Sequence, residues 1–274
     1  MADMSVKEVE KALTVAEGLP VDEFELNLDH LVMDKTTLQF PELAALVAMA
    51  GQGKTHSALA MTEVDGLWPV LVLDTEGSTV GVAQNFDPER FDVIRIHTHK
   101  QLEQIVDSLL NKSHKYKTVV IDTLDMAQER ALIKFEKDNP GDGFAKWGEV
   151  ARWLLGDQGL LPKLKAAPFF SVVIVHTREE KSESGAIVQK VKLQGSAKDN
   201  FASAPDVVFY QTRKLAKVGD ESVLRTKVYT VGTKAFDQAK NRFDLPYVMD
   251  NSTLADVFTE IQKKIDERKA AKNK

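Results

Sequence analysis

Short apolar runs alternate with amphipathic segments along most of the chain. Continuous apolar runs of roughly four to eight residues are typical of buried strands, whereas apolar positions three and four apart are typical of helices. This alternation predicts an α/β fold with a mostly parallel sheet flanked by helices, which binds ligands at the carboxyl ends of its strands. The predicted strands are 43–50, 69–74, 91–97, 116–122 and 169–175, and the predicted helices are 100–111, 123–137, 147–155 and 254–269.

The two ends of the chain depart from this pattern. An amphipathic helix is predicted at 5–17 and a short strand at 24–28, both ahead of the first apolar run. Residues 206–211 and 225–231 are expected to form late antiparallel strands, and the last helix runs into a basic tail. We therefore divide the chain into a lead-in segment with a helix (1–40), a core (41–250) and a C-terminal helix with its tail (251–274).

A glycine-rich turn, Gly51 to Thr55, follows the first apolar run, and a helix is predicted after it. This is the context of a phosphate-binding P-loop, in which glycines let backbone N–H groups point at phosphate oxygens near a helix N-terminus. The full pattern asks for glycine where this chain has Ala48, near the strand end. The alternative is an ordinary glycine turn that happens to precede Lys-Thr. The predicted nucleotide-binding loop consists of Ala50, Gly51, Gln52, Gly53, Lys54, Thr55 and His56.

In such a loop Lys54 reaches the β- and γ-phosphates of a nucleoside triphosphate, and Thr55 offers its hydroxyl to Mg²⁺. Asp122 ends a buried apolar strand, where a carboxylate is costly without a partner. Mg²⁺ held between Thr55 and Asp122 would be that partner, although the position also suits a helix N-cap. Glu76 ends the strand after the P-loop helix, and there it can orient the water that attacks the γ-phosphate. The alternative for Glu76 is a solvated loop residue.

Composition narrows the class of protein. The chain has 274 residues with a net charge of −5, and its 43% apolar and 28% charged contents are ordinary for a globular protein. Cysteine is absent, which excludes disulfides and thiolate metal sites. The N-terminus has no apolar core typical of a signal peptide, and no apolar run is long enough to span a bilayer. We therefore expect a cytoplasmic protein without membrane contact, in which nucleic-acid binding needs a local basic surface.

Five motifs occur in an order that resembles the RecA-like ATPases. Those most similar are a compact phage group related to single-strand annealing proteins of the Sak type, and the resemblance covers roughly residues 40 to 250. It implies a RecA-like P-loop NTPase core that hydrolyses ATP with Mg²⁺ at interfaces between subunits assembled into a ring or filament. The motifs are AxxGxGKT (48–55), LVLDTEG (71–77), VVIDT (119–123), VIVHTR (173–178) and AKNRFDLP (239–246).

The resemblance also implies roles for individual residues. Glu76 would be the catalytic base, and His176 lies where these proteins keep a polar sensor of the γ-phosphate. Lys240 and Arg242 resemble a cationic pair that reaches the γ-phosphate of a neighbouring subunit, where such cations stabilise the transition state. The alternatives are a polar strand-end residue for His176 and a solvated loop pair for Lys240 and Arg242.

In RecA-like proteins, single-stranded DNA is held by the loops that here correspond to 139–146 and 178–200. Phe144 and Trp147 are candidates for base stacking, although such aromatic residues are more often part of a core. The basic end of the chain, 263–274, either contacts phosphates or only keeps a frayed helix end soluble. The candidate DNA-binding residues are Arg178, Lys181, Lys190, Lys192 and Lys198, which are interspersed with acids.

The sequence thus favours a DNA-stimulated ATPase that acts in recombination, by annealing or pairing single strands of DNA. Its expected partners are single-stranded DNA, further copies of itself and a single-stranded-DNA-binding protein. Three alternatives stay open: a ring helicase, a nucleotide-gated DNA-binding protein with little hydrolysis, and a metal-dependent nuclease. The nuclease would use Asp74, Glu76 and Asp122, which are expected at neighbouring strand ends.

Overall fold

The computed structural model describes residues 39–140, 144–181, 185–218 and 221–272. The helix predicted at 5–17 and the strand predicted at 24–28 lie outside these residues. The strands are β1 (Leu43–Ala48), β2 (Val70–Asp74), β3 (Phe91–Arg95), β4 (Thr118–Asp122), β5 (Phe170–Lys181), β6 (Ile187–Val191), β7 (Val207–Val218), β8 (Glu221–Tyr229) and β9 (Val248–Asp250). The helices are α1 (Lys54–Leu59), α2 (Thr79–Ala83), α3 (His99–Asn111), α4 (Leu124–Asp138), α5 (Ala145–Leu155), α6 (Leu160–Lys165), α7 (Ala197–Asn200) and α8 (Leu254–Lys272).

The strands form one nine-stranded sheet in the order β3-β2-β4-β5-β1-β7-β8-β9, and β6 pairs with the far end of β5. The strands from β3 to β7 in this order are parallel, whereas β8 and β9 are antiparallel to their neighbours. The predicted α/β class, with a mostly parallel sheet flanked by helices and late antiparallel strands, is therefore confirmed.

The central strands carry the core. Every residue of β1, β2 and β4 is buried, as continuous apolar sequences require when helices cover both faces of a parallel sheet. α3 begins at its N-cap Thr98, whose hydroxyl accepts the N–H of Gln101 at 3.1 Å, and buries Leu102, Val106 and Leu109. The C-terminal helix α8 packs Phe258 against Phe170 of β5, with ring centroids 4.8 Å apart.

Two strands run further than the sequence predicts. β5 was expected to end at residue 175 but continues to Lys181, because Thr177 to Lys181 pair antiparallel with β6. β7 likewise continues to Val218 by pairing with β8. Both extensions carry charged residues, which an exposed ladder accommodates. His176, which was expected at the strand end, and Arg178, which was expected in the loop after it, therefore both lie within β5.

Candidate functional site

The glycine-rich turn connects β1 to α1 at the carboxyl edge of the sheet. Gly51 and Gly53 have φ angles of 73° and 78°, in the left-handed region where a side chain would be strained. The Gly53 carbonyl accepts the N–H of Ser57 at 2.9 Å, which starts the helix. Lys54 Nζ donates to the Met49 carbonyl at 2.9 Å, so its ammonium group folds back across the turn. This is the geometry that a P-loop requires.

Lys54 is a buried cation surrounded by carboxylates. Burial lowers the pKa of its ammonium group, and the charges of Asp122, Glu76 and Asp125 oppose that effect. A desolvated ammonium group beside a glycine-rich turn is strongly attracted to an anion that enters the turn. The electrostatics of the turn therefore suit a phosphate group.

Thr55 of α1 and Asp122 at the end of β4 form a direct pair. Thr55 Oγ1 donates to Asp122 Oδ2 at 2.6 Å, while Asp122 Oδ1 is buried and has no hydrogen-bond partner among the described residues. Burial raises the pKa of Asp122 to about 6, and the hydrogen bond from Thr55 counteracts this only in part. A hydroxyl beside a half-satisfied carboxylate is the oxygen donor set that Mg²⁺ uses together with phosphates and water. The described residues form no group of three or more His, Asp or Glu side chains able to hold a metal by themselves.

Glu76 follows β2 in a loop that Asp74 holds in place. The Asp74 carboxylate accepts the N–H groups of Glu76 at 2.9 Å and Gly77 at 2.5 Å, and Arg95 Nη1 donates to it at 3.2 Å. Glu76 Oε1 lies 3.3 Å from the Thr123 hydroxyl, at the start of α4. Because Asp74 is committed to the backbone of this loop, it is not free to join Glu76 and Asp122 around a metal. This weakens the nuclease alternative.

His176 is held by a carboxylate that the sequence did not assign to the site. Its backbone N–H donates to Asp125 Oδ1 at 3.1 Å, and its ring Nδ1 lies 3.0 Å from Asp125 Oδ2. The same Nδ1 lies 3.3 Å from Glu76 Oε1. Burial disfavours the Asp125 carboxylate, but its bonds with His176 outweigh this and the pKa of Asp125 is lowered. Asp125 lies in the first turn of α4, and its contact with His176, 51 residues away, has no local signal in the sequence.

Gln211 and Arg213 of β7 also contact the P-loop, and sequence reasoning missed both. Gln211 Nε2 donates to the Gln52 carbonyl at 2.6 Å, and the backbone N–H of Arg213 donates to Gln52 Oε1. These contacts join residues about 160 positions apart in the chain. They arise because β7 pairs in parallel with β1 and passes beside the turn that follows it.

Lys240 and Arg242 lie away from this edge. Lys240 forms a β-bridge with Val208, whose neighbour in the sheet is Ala45 in the middle of β1. Burial lowers the pKa of Lys240, as do Arg242 and Lys165, while Asp206 opposes the shift. Asp206 binds the N–H of Leu43, at the amino end of β1, whereas the P-loop follows the carboxyl end. The cationic pair and the P-loop of one chain are therefore at different levels along the sheet.

Most of the predicted DNA-binding cations form ion pairs with acidic side chains of the same chain. Arg178 pairs with Glu180 at 2.5 Å, Lys190 pairs with Asp237, and Lys192 lies 3.9 Å from Asp125. Lys181 and Lys198 have no ion pair within the ranges described above. Phe144 is 88% exposed, whereas Trp147 is half-buried beside Gly195. None of the described helices is long and apolar enough to cross a membrane.

A phosphate-binding turn, a hydroxyl–carboxylate pair and a glutamate at the end of the neighbouring strand together define a P-loop ATPase domain. The sequence profile of the AAA domain family matches residues 42–243, and the chain belongs to that family. The crystal structure of the RadB recombinase is similar to 77% of this chain and 86% of its own, with 16% sequence identity and a TM-score of 0.45. No curated protein matches the chain.

Proposed function

We propose that this protein is an ATP-dependent recombination protein that binds single-stranded DNA and hydrolyses ATP at interfaces between copies of itself. The observation that carries the ATP site is the buried Oδ1 of Asp122, which no group in the described ranges contacts by a hydrogen bond, while its other oxygen accepts the hydroxyl of the P-loop residue Thr55 at 2.6 Å. The part that concerns DNA, and the assignment to the phage Sak-type group in a host cytoplasm, rest on the sequence resemblance.

Each residue of the site has a distinct task in this proposal. Lys54 and the backbone of the loop from Ala50 to His56 hold the phosphates, and Lys54 neutralises their charge. Thr55 and Asp122 hold Mg²⁺, which draws charge from the phosphate oxygens when it is bound. Glu76 orients the attacking water and accepts its proton, and the backbone bonds from Asp74 fix the position of the loop.

His176 is proposed as the γ-phosphate sensor. Its Nδ1 faces Asp125 and Glu76, so the nitrogen available to a phosphate is Nε2. With the Nδ1 proton directed at Asp125, Nε2 donates a hydrogen bond only when the ring is doubly protonated. An imidazole in this tautomer therefore differs from the amide of a glutamine, which always carries a donor.

Lys240 and Arg242 are proposed to act on the nucleotide of a neighbouring copy. Their place along the sheet, at the level of Ala45 and Asp206, separates them from the P-loop of the same chain. Cations that act across an interface stabilise the charge of the transition state and couple hydrolysis to assembly. A ring or a filament satisfies this requirement equally.

Single-stranded DNA is proposed to bind near the β5–β6 extension, where Lys181 and Lys198 lack ion pairs among the described side chains. Arg178, Lys190 and Lys192 would contribute by exchanging their present acidic partners for phosphates. Repetition of this surface in an assembly would compensate for its small charge in one subunit. Annealing or strand pairing is the proposed outcome, with a single-stranded-DNA-binding protein as a further partner.

A second candidate is a nucleotide-gated DNA-binding protein with slow turnover. The contact between His176 Nδ1 and Glu76 Oε1 at 3.3 Å favours it, because a glutamate engaged by an imidazole is less able to take a proton from water. In that protein ATP would control assembly, and hydrolysis would only reset it.

Steady-state ATP hydrolysis with and without single-stranded DNA tests the proposal, on wild type, Lys54→Ala and Glu76→Gln. Glu63→Gln is the matched control, because it removes a carboxylate that has no ion pair in the described structure. We expect DNA to raise turnover, and both site variants to lose it while the control keeps it. ATP binding with a turnover that DNA does not change would favour the second candidate. Turnover that survives Lys54→Ala would overturn the assigned site.

A further inference from the structure

Arg213 is a cation beside the P-loop that no motif assigns. A methyl group built on Gly53 would lie 3.6 Å from Arg213 Nη1 and 3.7 Å from its Cδ, so the side chain extends along the phosphate-binding turn. Its position is set by the main chain, because the Arg213 N–H donates to Gln52 Oε1. Gln211, two residues earlier on the same strand face, binds the Gln52 carbonyl at 2.6 Å.

The Arg213 guanidinium has no carboxylate partner within the described part of the chain, and the side chain is exposed. Of the carboxylates of the site, Asp125 is engaged by His176, and Asp122 is engaged by Thr55 through one of its two oxygens. An arginine that serves only to support the fold would be expected to hold an acid or a carbonyl. Here the structural contact is made by the backbone N–H, which leaves all five side-chain N–H groups available.

We propose that Arg213 binds the β- and γ-phosphates of the nucleotide held by the P-loop of its own chain. This inference rests on the proposed ATP site and adds a second cation to Lys54. A guanidinium group is always charged and presents paired donors that match two phosphate oxygens, whereas the Lys54 ammonium acts as a point charge. Together they would distinguish a triphosphate from a monophosphate, since AMP has neither of the phosphates that Arg213 contacts.

The test is a titration of nucleotide affinity by fluorescence or calorimetry, with a non-hydrolysable ATP analogue, ADP and AMP. We expect Arg213→Ala to weaken binding of the ATP analogue by about tenfold or more, in keeping with loss of a charge-assisted hydrogen bond, and to leave AMP unchanged. Arg213→Lys should restore part of the loss, because it returns the charge without the paired donors. Lys214→Ala is the matched control: it removes the same charge from the next residue, which points to the other face of the strand.

The outcomes separate this inference from the proposed function. Two results together would overturn only the role of Arg213. In them, Lys54→Ala loses nucleotide binding, whereas Arg213→Ala distinguishes the ATP analogue, ADP and AMP as the wild type does. An equal loss for the ATP analogue, ADP and AMP would also overturn it, because that pattern indicates a change in the fold of the loop. Absence of ATP binding by the wild type would instead overturn the proposed ATP site itself.

Mixing identifies the chain that supplies Arg213. Equal amounts of Lys54→Ala and Arg213→Ala proteins are combined, and nucleotide affinity is measured in the mixture. If Arg213 acts within its own chain, each site lacks one cation and the mixture has no sites of wild-type affinity. Recovery of wild-type affinity in a fraction of the sites would place Arg213 in a neighbouring copy and overturn the assignment.

Discussion

Asp122 shows at the scale of one residue how burial prepares a ligand for a cation. Its Oδ2 is bonded to Thr55, its Oδ1 has no partner among the described residues, and its pKa is raised to about 6 by burial. A carboxylate in this state is unstable alone and gains from a divalent ion. In the proposed site this carboxylate would therefore lower the stability of the metal-free protein and support binding once Mg²⁺ and a nucleotide are present.

Asp122→Asn tests whether this carboxylate holds Mg²⁺. Protons compete with Mg²⁺ for the carboxylate, so the extra nucleotide affinity that Mg²⁺ provides should fall in wild type as the pH drops through about 6. The variant should lose most of that extra affinity at every pH. Nucleotide titrations with Mg²⁺ or with a chelator, from about pH 5 to pH 8, measure both effects. Retention of the full effect of Mg²⁺ by the variant would contradict the assignment of Asp122.

Asp122→Asn should also change how the free energy of unfolding depends on pH. The folded pKa of about 6 exceeds the ordinary value of 3.8, so the native state binds more protons than the unfolded state between these values. The free energy of unfolding of the metal-free wild type should therefore fall as the pH rises from about 4 to about 6, through this group. Asp122→Asn should remove that slope and unfold at a higher denaturant concentration at pH 7. Urea titrations in chelator are the measurement.

The pKa of Asp125 shifts in the opposite direction from that of Asp122, because bonds with His176 compensate for the burial of its carboxylate. Asp125→Ala would remove the acceptor of the His176 N–H and the shorter contact of its ring Nδ1, in a place where Asp125 is only 5% exposed. We expect a loss of about 2–4 kcal/mol in the free energy of unfolding. Urea denaturation measures it, and Asp125→Asn, which keeps an acceptor oxygen, should lose less. Equal stability of Asp125→Ala and wild type would show that this contact contributes nothing.

At the scale of secondary-structure elements, Asp206 joins the start of β1 to the start of β7. Its Oδ2 accepts the N–H groups of Glu42 at 2.9 Å and Leu43 at 3.1 Å, and Lys165 Nζ lies 2.7 Å from Oδ1. Burial opposes ionisation, but these bonds outweigh it, and the pKa of Asp206 lies below its ordinary value. A lowered pKa of a carboxyl group stabilises the fold above the unfolded-state pKa, and this stabilisation is lost as the pH falls through the folded pKa.

Asp206→Ala should therefore lower the free energy of unfolding by about 2 kcal/mol at pH 7, since two strand-end N–H groups lose a charged acceptor. The difference from wild type should shrink in acid, where the wild-type carboxyl is protonated as well. Urea denaturation at neutral and at acidic pH tests this, with Asp157→Ala as a control on an exposed aspartate that has no ion pair in the described structure. A difference that does not depend on pH would show that the Asp206 charge is not what joins the strands.

The elements also show what a sequence can predict. Burial on both faces imposes continuous apolar runs on β1, β2 and β4, so these strands, and the P-loop and carboxylates at their ends, were predicted from local pattern. The extensions of β5 and β7 were not predicted, because exposed ladder positions such as Arg178 and Lys214 accept charged residues. Asp125 with His176 and Arg213 with the P-loop were missed because strand order, which local sequence does not encode, brings them together.

At the scale of the whole molecule, the proposed action of Lys240 and Arg242 on a neighbouring copy would make the ATP site a product of two chains. Lys54→Ala and Arg242→Ala should each be inactive in ATP hydrolysis. An equal mixture should regain about one quarter of wild-type turnover, because a random assembly pairs an intact P-loop with an intact Arg242 at one interface in four. Turnover of the mixture, corrected for each variant alone, is the measurement. A mixture as inactive as its components would place all catalytic residues in one chain.

The separation of this cationic pair from its own P-loop also has a consequence for kinetics. If two chains must meet to complete one site, the rate of ATP consumption at low protein concentration rises with the square of the concentration and becomes linear only once assembly is saturated. Specific activity would then measure the degree of association, and dilution alone would switch the enzyme off. A DNA strand that gathers several copies would remove this dependence by raising their local concentration. Stimulation by DNA would then require no change in the chemistry of any one site.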